Sequence, residues 1–247
     1  MERGKLVVAA SGGADSTAMA LEMAERGEFF DLLFTRTGNE LPGVLEHLHK
    51  LAERTGARLY EPPAPTLMAL IQEFKALPNW RQRWCTRLIK IAPCIAWLKA
   101  HPGRTLCVGL RADEPERQGL YGEQAEYRYP LREYGWGRAQ VVARNAREGL
   151  VPPKRTDCAL CYGQSVREWY LLLLEHPDLY AEGERLEAET GYTFRSPGRD
   201  FRPAPLAELR KHFEAGNIPK QRARYGSRSL KLHPELAERA PCRVCRD

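Results

Sequence analysis

Residues 6–24 read LVVAASGGADSTAMALEMA, and this stretch decides the fold. Leu6 to Ala10 is short, apolar and β-branched at its centre, as expected of a strand covered on both faces. Ala18, Leu21, Met23 and Ala24 then recur at helical spacing, uninterrupted by Gly or Pro until Gly27. Ser11 to Thr17 is therefore a strand-to-helix turn. Its two glycines permit unusual dihedrals and close backbone approach, and its Ser, Asp and Thr side chains are suited to capping. The N–H groups at the helix start and the positive end of its dipole favour an anion in the turn, and a phosphate is the expected one. The dinucleotide pattern Gly-x-Gly-x-x-Gly and the Gly-Lys-Ser/Thr of the Walker loop are both absent.

Working outward, Asp31 to Thr35 reads as a second strand, with Thr37, Gly38, Asn39 and Glu40 as the loop at its end. Pro42 suits a helix start and Gly56 a helix end. Arg58 to Glu61 reads as a third strand, and TLMALIQEF (66–74) as a helix. The basic, aromatic segment ALPNWRQRWCTRLIKIAPCIAWLKAH (76–101) carries a further helix, and Thr105 to Val108 a strand that runs into the polar loop from Gly109 to Arg117. Strands alternating with helices predict an α/β domain with a doubly wound, mainly parallel sheet over residues 1–150. In such sheets ligands bind beyond the carboxyl ends of the strands, so the loops at 11–17, 37–40 and 109–117 are expected to converge.

From about Pro152 the alternation stops. Residues 151–247 form a smaller helical, Arg- and Pro-rich appendage, whose amphipathic stretch 165–190 is broken at His176-Pro177. Seven cysteines include two Cys-x-x-Cys pairs, Cys158/Cys161 and Cys242/Cys245. The chain has 247 residues, no apolar run of membrane-spanning length and no signal-peptide pattern, so the expectation is a cytoplasmic protein without a membrane partner. In that compartment a thiolate-bound metal is a better reading of the pairs than disulfides. Zinc and [4Fe–4S] both suit four thiolates, and Cys85 is an alternative ligand. Cys94 and Cys107 fall on a helix and a strand and read as core. A formal charge of +6 favours phosphorylated or polyanionic partners. The Arg-aromatic stretches NWRQRWCTR and PKQRARYGSRSLK make nucleic acid one such candidate.

Four ordered segments resemble the phosphoadenosine-phosphosulfate (PAPS) reductase family, within the PP-loop ATP pyrophosphatases. SGGADS is similar to that superfamily's Ser-Gly-Gly-x-Asp-Ser loop, and TRTGNELPGV to its Asp-Thr-Gly segment. WCTRLIKIAPC is similar to its Cys-Cys-x-x-x-Lys-Val-x-Pro segment, with Thr86 in place of the second Cys, and GLRADEPERQG to its Gly-x-Arg-x-x-Glu-Ser-x-x-Arg segment. The chain ends in ERAPCRVCRD where sulfonucleotide reductases carry a Glu-Cys-Gly-Ile/Leu-His motif.

The resemblance implies an enzyme that binds ATP with Mg²⁺ and adenylates an acceptor for sulfur transfer, with nucleic acid as a candidate acceptor and a sulfur-donor protein as a candidate partner. Ser11, Gly12, Gly13, Asp15 and Ser16 would cradle pyrophosphate, with Thr37, Gly38, Gly109 and Arg111 completing the nucleotide site. Asp15, Lys90, Arg111 and Arg117 would carry the chemistry, the cations by neutralising phosphates. Glu40 and Glu114 are further Mg²⁺ candidates. The resemblance also favours [4Fe–4S] over zinc. Two alternatives remain open: a sulfonucleotide reductase using Cys242 or Cys245, and a non-catalytic nucleotide- and metal-binding accessory protein.

Overall fold

The computed structural model describes residues 5–119 and 125–220. In chain order its elements are β1 (Leu6–Ala9), α1 (Ala14–Glu25), β2 (Phe30–Leu33), α2 (Val44–Thr55), β3 (Leu59–Tyr60) and α3 (Leu67–Phe74). A π-helical turn (Thr86–Ile91) then runs into α4 (Ala92–Ala100), followed by β4 (Thr105–Cys107), β5 (Glu126–Arg128), α5 (Pro130–Glu133) and α6 (Arg138–Glu148). The C-terminal region adds α7 (Val166–Glu175), α8 (Pro177–Thr190) and α9 (Leu206–Glu214).

The five strands form one parallel sheet in the order β3-β2-β1-β4-β5. The expected doubly wound α/β architecture is thus the observed one. Because side chains alternate across a strand, Leu6 and Val8 of β1 pack in the layer of α1 and α2, whereas Val7 packs with Cys94, Trp97 and Leu98 of α4 on the other side. Both faces of β1 are covered, which is why its sequence is continuously apolar. β1 pairs with β2 on one side and β4 on the other, Leu6 lying opposite both Phe30 and Thr105. The chain order reverses at that point, and a crevice opens beyond the strand ends.

A second core joins the two halves of the sequence. Trp169, Tyr180, Leu186, Phe194, Leu206 and Phe213 pack with Leu67, Ile71, Trp84 and Ile89. Ser165 caps α7 in a reciprocal box, its Oγ accepting from Glu168 N and its N donating to Glu168 Oε2. Pro177 opens α8, accounting for the predicted break at His176.

The structure corrects several boundaries. β2 begins one residue earlier and ends two residues earlier than expected, and β3 is reduced to Leu59–Tyr60. The strand β5 and helices α5 and α6 lie in a stretch with no predicted element. With three residues, β5 is too short to display a period. Among the described residues no helix is long and apolar enough to cross a membrane.

Candidate functional site

The turn after β1 is built by its own hydroxyls. Gly13 N donates to Ser11 Oγ (3.3 Å), Ser16 Oγ donates to Gly13 O (3.2 Å), and Ser11 N donates to Ser16 Oγ (3.3 Å). Gly12 occupies the left-handed region at φ 70°, where an L side chain is strained. Side-chain capping of α1 was expected, but the N-cap is Gly13 and no side chain caps it. The first-turn residues Ala14, Asp15 and Ser16 instead line a cavity at the switch point of the sheet. An uncapped helix start leaves N–H donors and partial positive charge there.

Gly109, just after β4, closes the other side of the switch point. A Cβ built on it would stand 3.3 Å from Asp15 C and from Ser16 N, so any larger residue would press on the backbone of the facing loop. Ser11, Gly13, Asp15, Ser16, Thr37, Glu40, Lys90, Gly109, Arg117 and Cys158 line the cavity. The loops after β1, β2 and β4 therefore converge as the topology predicts.

Gly12, Gly38, Arg111 and Cys161 are not part of that lining. Gly38 packs on Thr66, the N-cap residue of α3. Arg111 is buried behind the wall and bonds three carboxylates: Asp15 Oδ2 (2.8 Å), Asp113 Oδ1 (2.8 Å) and Glu114 Oε1 (2.6 Å). Glu114 also accepts from Arg117 Nη1 (2.5 Å), and Arg132 Nη2 braces the loop by donating to the carbonyls of Glu114 and Arg117 (both 2.6 Å). Burial pushes the Asp15 carboxyl up, and the Arg111 guanidinium offsets that. Asp15 Oδ1 is buried and has no hydrogen-bond partner. Arg111 thus orients Asp15 rather than facing the cavity.

The loop after β2 is stitched to the C-terminal region. Thr37 N and Oγ1 donate to Glu40 Oε1 (2.5 and 2.6 Å), Ala159 N donates to Asn39 O (2.7 Å), and Leu160 N donates to Asn39 Oδ1 (2.9 Å). Cys158 Sγ donates to Thr37 Oγ1 (3.3 Å). The first Cys-x-x-Cys pair is thereby brought to the edge of the cavity. Cys85, Cys158 and Cys161 line a small apolar space that shares Thr37, Thr86, Lys90 and Cys158 with the larger cavity. Burial pushes the Cys85 thiol up to about 11 and also raises Cys158 and Cys161.

These donors do not form a metal centre by themselves. Among the described residues no three His, Cys, Asp or Glu side chains are placed to hold a metal ion. Cys242 and Cys245, expected to complete the set, lie outside the described residues. Cys94 and Cys107 are buried in the core as expected, and Cys94 also forms part of the cavity wall.

Sequence reading missed Arg138, Thr86 and Thr156, which also line the cavity. Arg138 is the first residue of α6, and its backbone N donates to Asp113 Oδ2 (2.9 Å). Gly149, which ends α6, was the usable signal for that helix.

Comparison with known proteins finds likenesses in sequence and in structure. No curated protein matches the chain. Among solved structures, phosphoadenylyl-sulfate (PAPS) reductase from Candida auris, a phosphate complex, is 17% identical over 60% of this chain and 74% of its own, with a TM-score of 0.48. NMN synthetase from Francisella tularensis is 15% identical over 90% of both chains, with a TM-score of 0.44. The family described as the phosphoadenosine phosphosulfate reductase domain matches residues 5–121, which span the turn after β1 and the loop after β4. Over residues 5–121 the chain is thus similar to the phosphoadenosine phosphosulfate reductase domain.

Proposed function

We propose that the cavity binds ATP through its phosphates at the Ser11–Ser16 turn, and that the chain adenylates an acceptor for sulfur transfer. One observation carries this reading: an uncapped helix start and a tight glycine-bearing turn face a cavity that Lys90, Arg117 and Arg138 also line. Backbone donors and cations gathered at one point suit a leaving pyrophosphate.

In the proposed reaction an acceptor oxygen attacks the α-phosphorus, the α–β bridging bond breaks, and pyrophosphate leaves with its electron pair. A sulfur nucleophile from a donor protein then forms a bond to the activated atom, and AMP departs with the former acceptor oxygen. The N–H groups of the turn hold the pyrophosphate oxygens. Lys90 and Arg117 are the catalytic cations that neutralise the charge developing on them. Arg111 is a positioning residue, holding Asp15 by one oxygen. The other oxygen, Asp15 Oδ1, is buried without a partner and suits a cation, so Asp15 would hold Mg²⁺, which would supply further charge neutralisation. No step is assigned to a thiolate-bound metal.

The test is product analysis with ATP and candidate acceptors. Pyrophosphate and AMP are the expected products. ADP with orthophosphate would overturn the proposal. ATP binding without turnover would favour the accessory reading, and sulfite release from PAPS with a thiol reductant would favour the sulfonucleotide reductase.

A further inference from the structure

Two segments far apart in the sequence meet over one exposed aromatic ring. Trp80, in the loop before the π-helical turn, is 37% exposed. The Arg83 guanidinium lies 5.3 Å from its ring centroid and that of Arg199 lies 5.9 Å away. Arg199 is held in place by donating to the carbonyls of Gln164 (3.1 Å) and Tyr162 (3.4 Å). Two residues on, Phe201 is 85% exposed, more than any other large apolar side chain among the described residues, with the Arg202 guanidinium 4.4 Å from its ring.

The segment that carries Trp80 is basic. Residues 78–90 contain Arg81, Arg83, Arg87 and Lys90 and no acidic residue. In the second segment, Asp200 is committed to the buried Arg195, both of its oxygens accepting at 3.0 Å. Each ring has at least one guanidinium group against it. Single rings with adjacent arginines are what unstacked bases on a phosphodiester backbone need. The surface also borders the site. Trp80 meets Tyr162 edge-on at 5.3 Å, and Tyr162 lines the small space beside the main cavity.

We propose that this surface binds single-stranded nucleic acid, with bases stacked on Trp80 and Phe201 and phosphates held by Arg81, Arg83, Arg199 and Arg202. The proposal is independent of what the cavity binds. Fluorescence anisotropy of the full chain with a labelled mixed-sequence strand of about 20 nucleotides, as DNA and as RNA, tests it against the matching duplex. Tighter binding of the single strand is expected. Trp80→Ala and Phe201→Ala should each weaken it about fivefold or more. Arg81→Gln should lower the salt slope by about 0.7. Phe29→Ala, at an exposed ring just before β2, should leave binding unchanged. Because Trp80 packs on Tyr162, Phe201→Ala is the cleaner variant. Absence of binding at low salt, equal binding of the duplex, or wild-type affinity in Phe201→Ala would each overturn the proposal. Calorimetric titration of ATP into the same variants should show unchanged affinity, so that loss of this surface is distinguishable from failure of the nucleotide reading.

Discussion

Arg111 Nη1 lies 2.8 Å from Asp15 Oδ2, joining the loop after β4 to the first turn of α1. The two residues are 96 positions apart, and their contact fixes the two sides of the sheet's switch point to each other. Arg111 is itself buried, and the carboxylates around it balance its charge.

Arg111→Met should therefore destabilise the chain by about 3–5 kcal/mol, because Asp15 loses the guanidinium it is paired with. Urea denaturation measures this. The double variant Arg111→Met/Asp15→Asn should recover part of the loss. Full additivity of the two single effects would show that the contact carries no coupling.

Gly109→Val should weaken ATP binding at least tenfold while costing about 1–3 kcal/mol of stability. The added side chain must displace the Asp15–Ser16 backbone, against which a Cβ already stands at 3.3 Å. Calorimetric titration checks the affinity. Wild-type affinity would remove the start of α1 from the binding site.

Glu187 provides a pH dependence. Its carboxylate accepts from Phe194 N (2.8 Å) and Leu206 N (2.6 Å), tying α8 to the segment that leads into α9. Burial pushes it up from the ordinary 4.5 to about 7. Between those values the folded chain keeps a proton that the unfolded chain has released. Stability should thus fall as pH rises through that window, by at most about 1.4 kcal/mol per pH unit, and level off above it. Glu187→Gln should flatten the profile of urea midpoints. An unchanged slope would assign the dependence to other groups.

Metal content decides the thiol assignment. If Cys158, Cys161, Cys242 and Cys245 share one centre, alanine at any of them should lower bound iron or zinc in anaerobically purified protein. Loss with Cys85→Ala and none with Cys242→Ala would instead place the ligands around the small space beside Thr37 and Lys90. Brown protein identifies iron–sulfur, and colourless protein with stoichiometric zinc identifies a structural ion.

The order of strands and helices, the turn at Ser11–Ser16 and the convergence of three loops could be read from the sequence alone. Periodicity, glycine placement and helix breaks are local properties, and in a parallel α/β sheet they fix the topology that brings loop ends together. β5 was not legible, since three residues show no period, and of α6 only its end at Gly149 carried a signal. Tertiary structure alone decided that Arg111 turns back onto Asp15 instead of facing the cavity, and that Cys158 reaches Thr37 across 121 positions. It also decided that Arg199 lies over Trp80. The physical reason is common to all three. Such contacts depend on which faces the packed elements bury against one another, and no stretch of sequence encodes that locally.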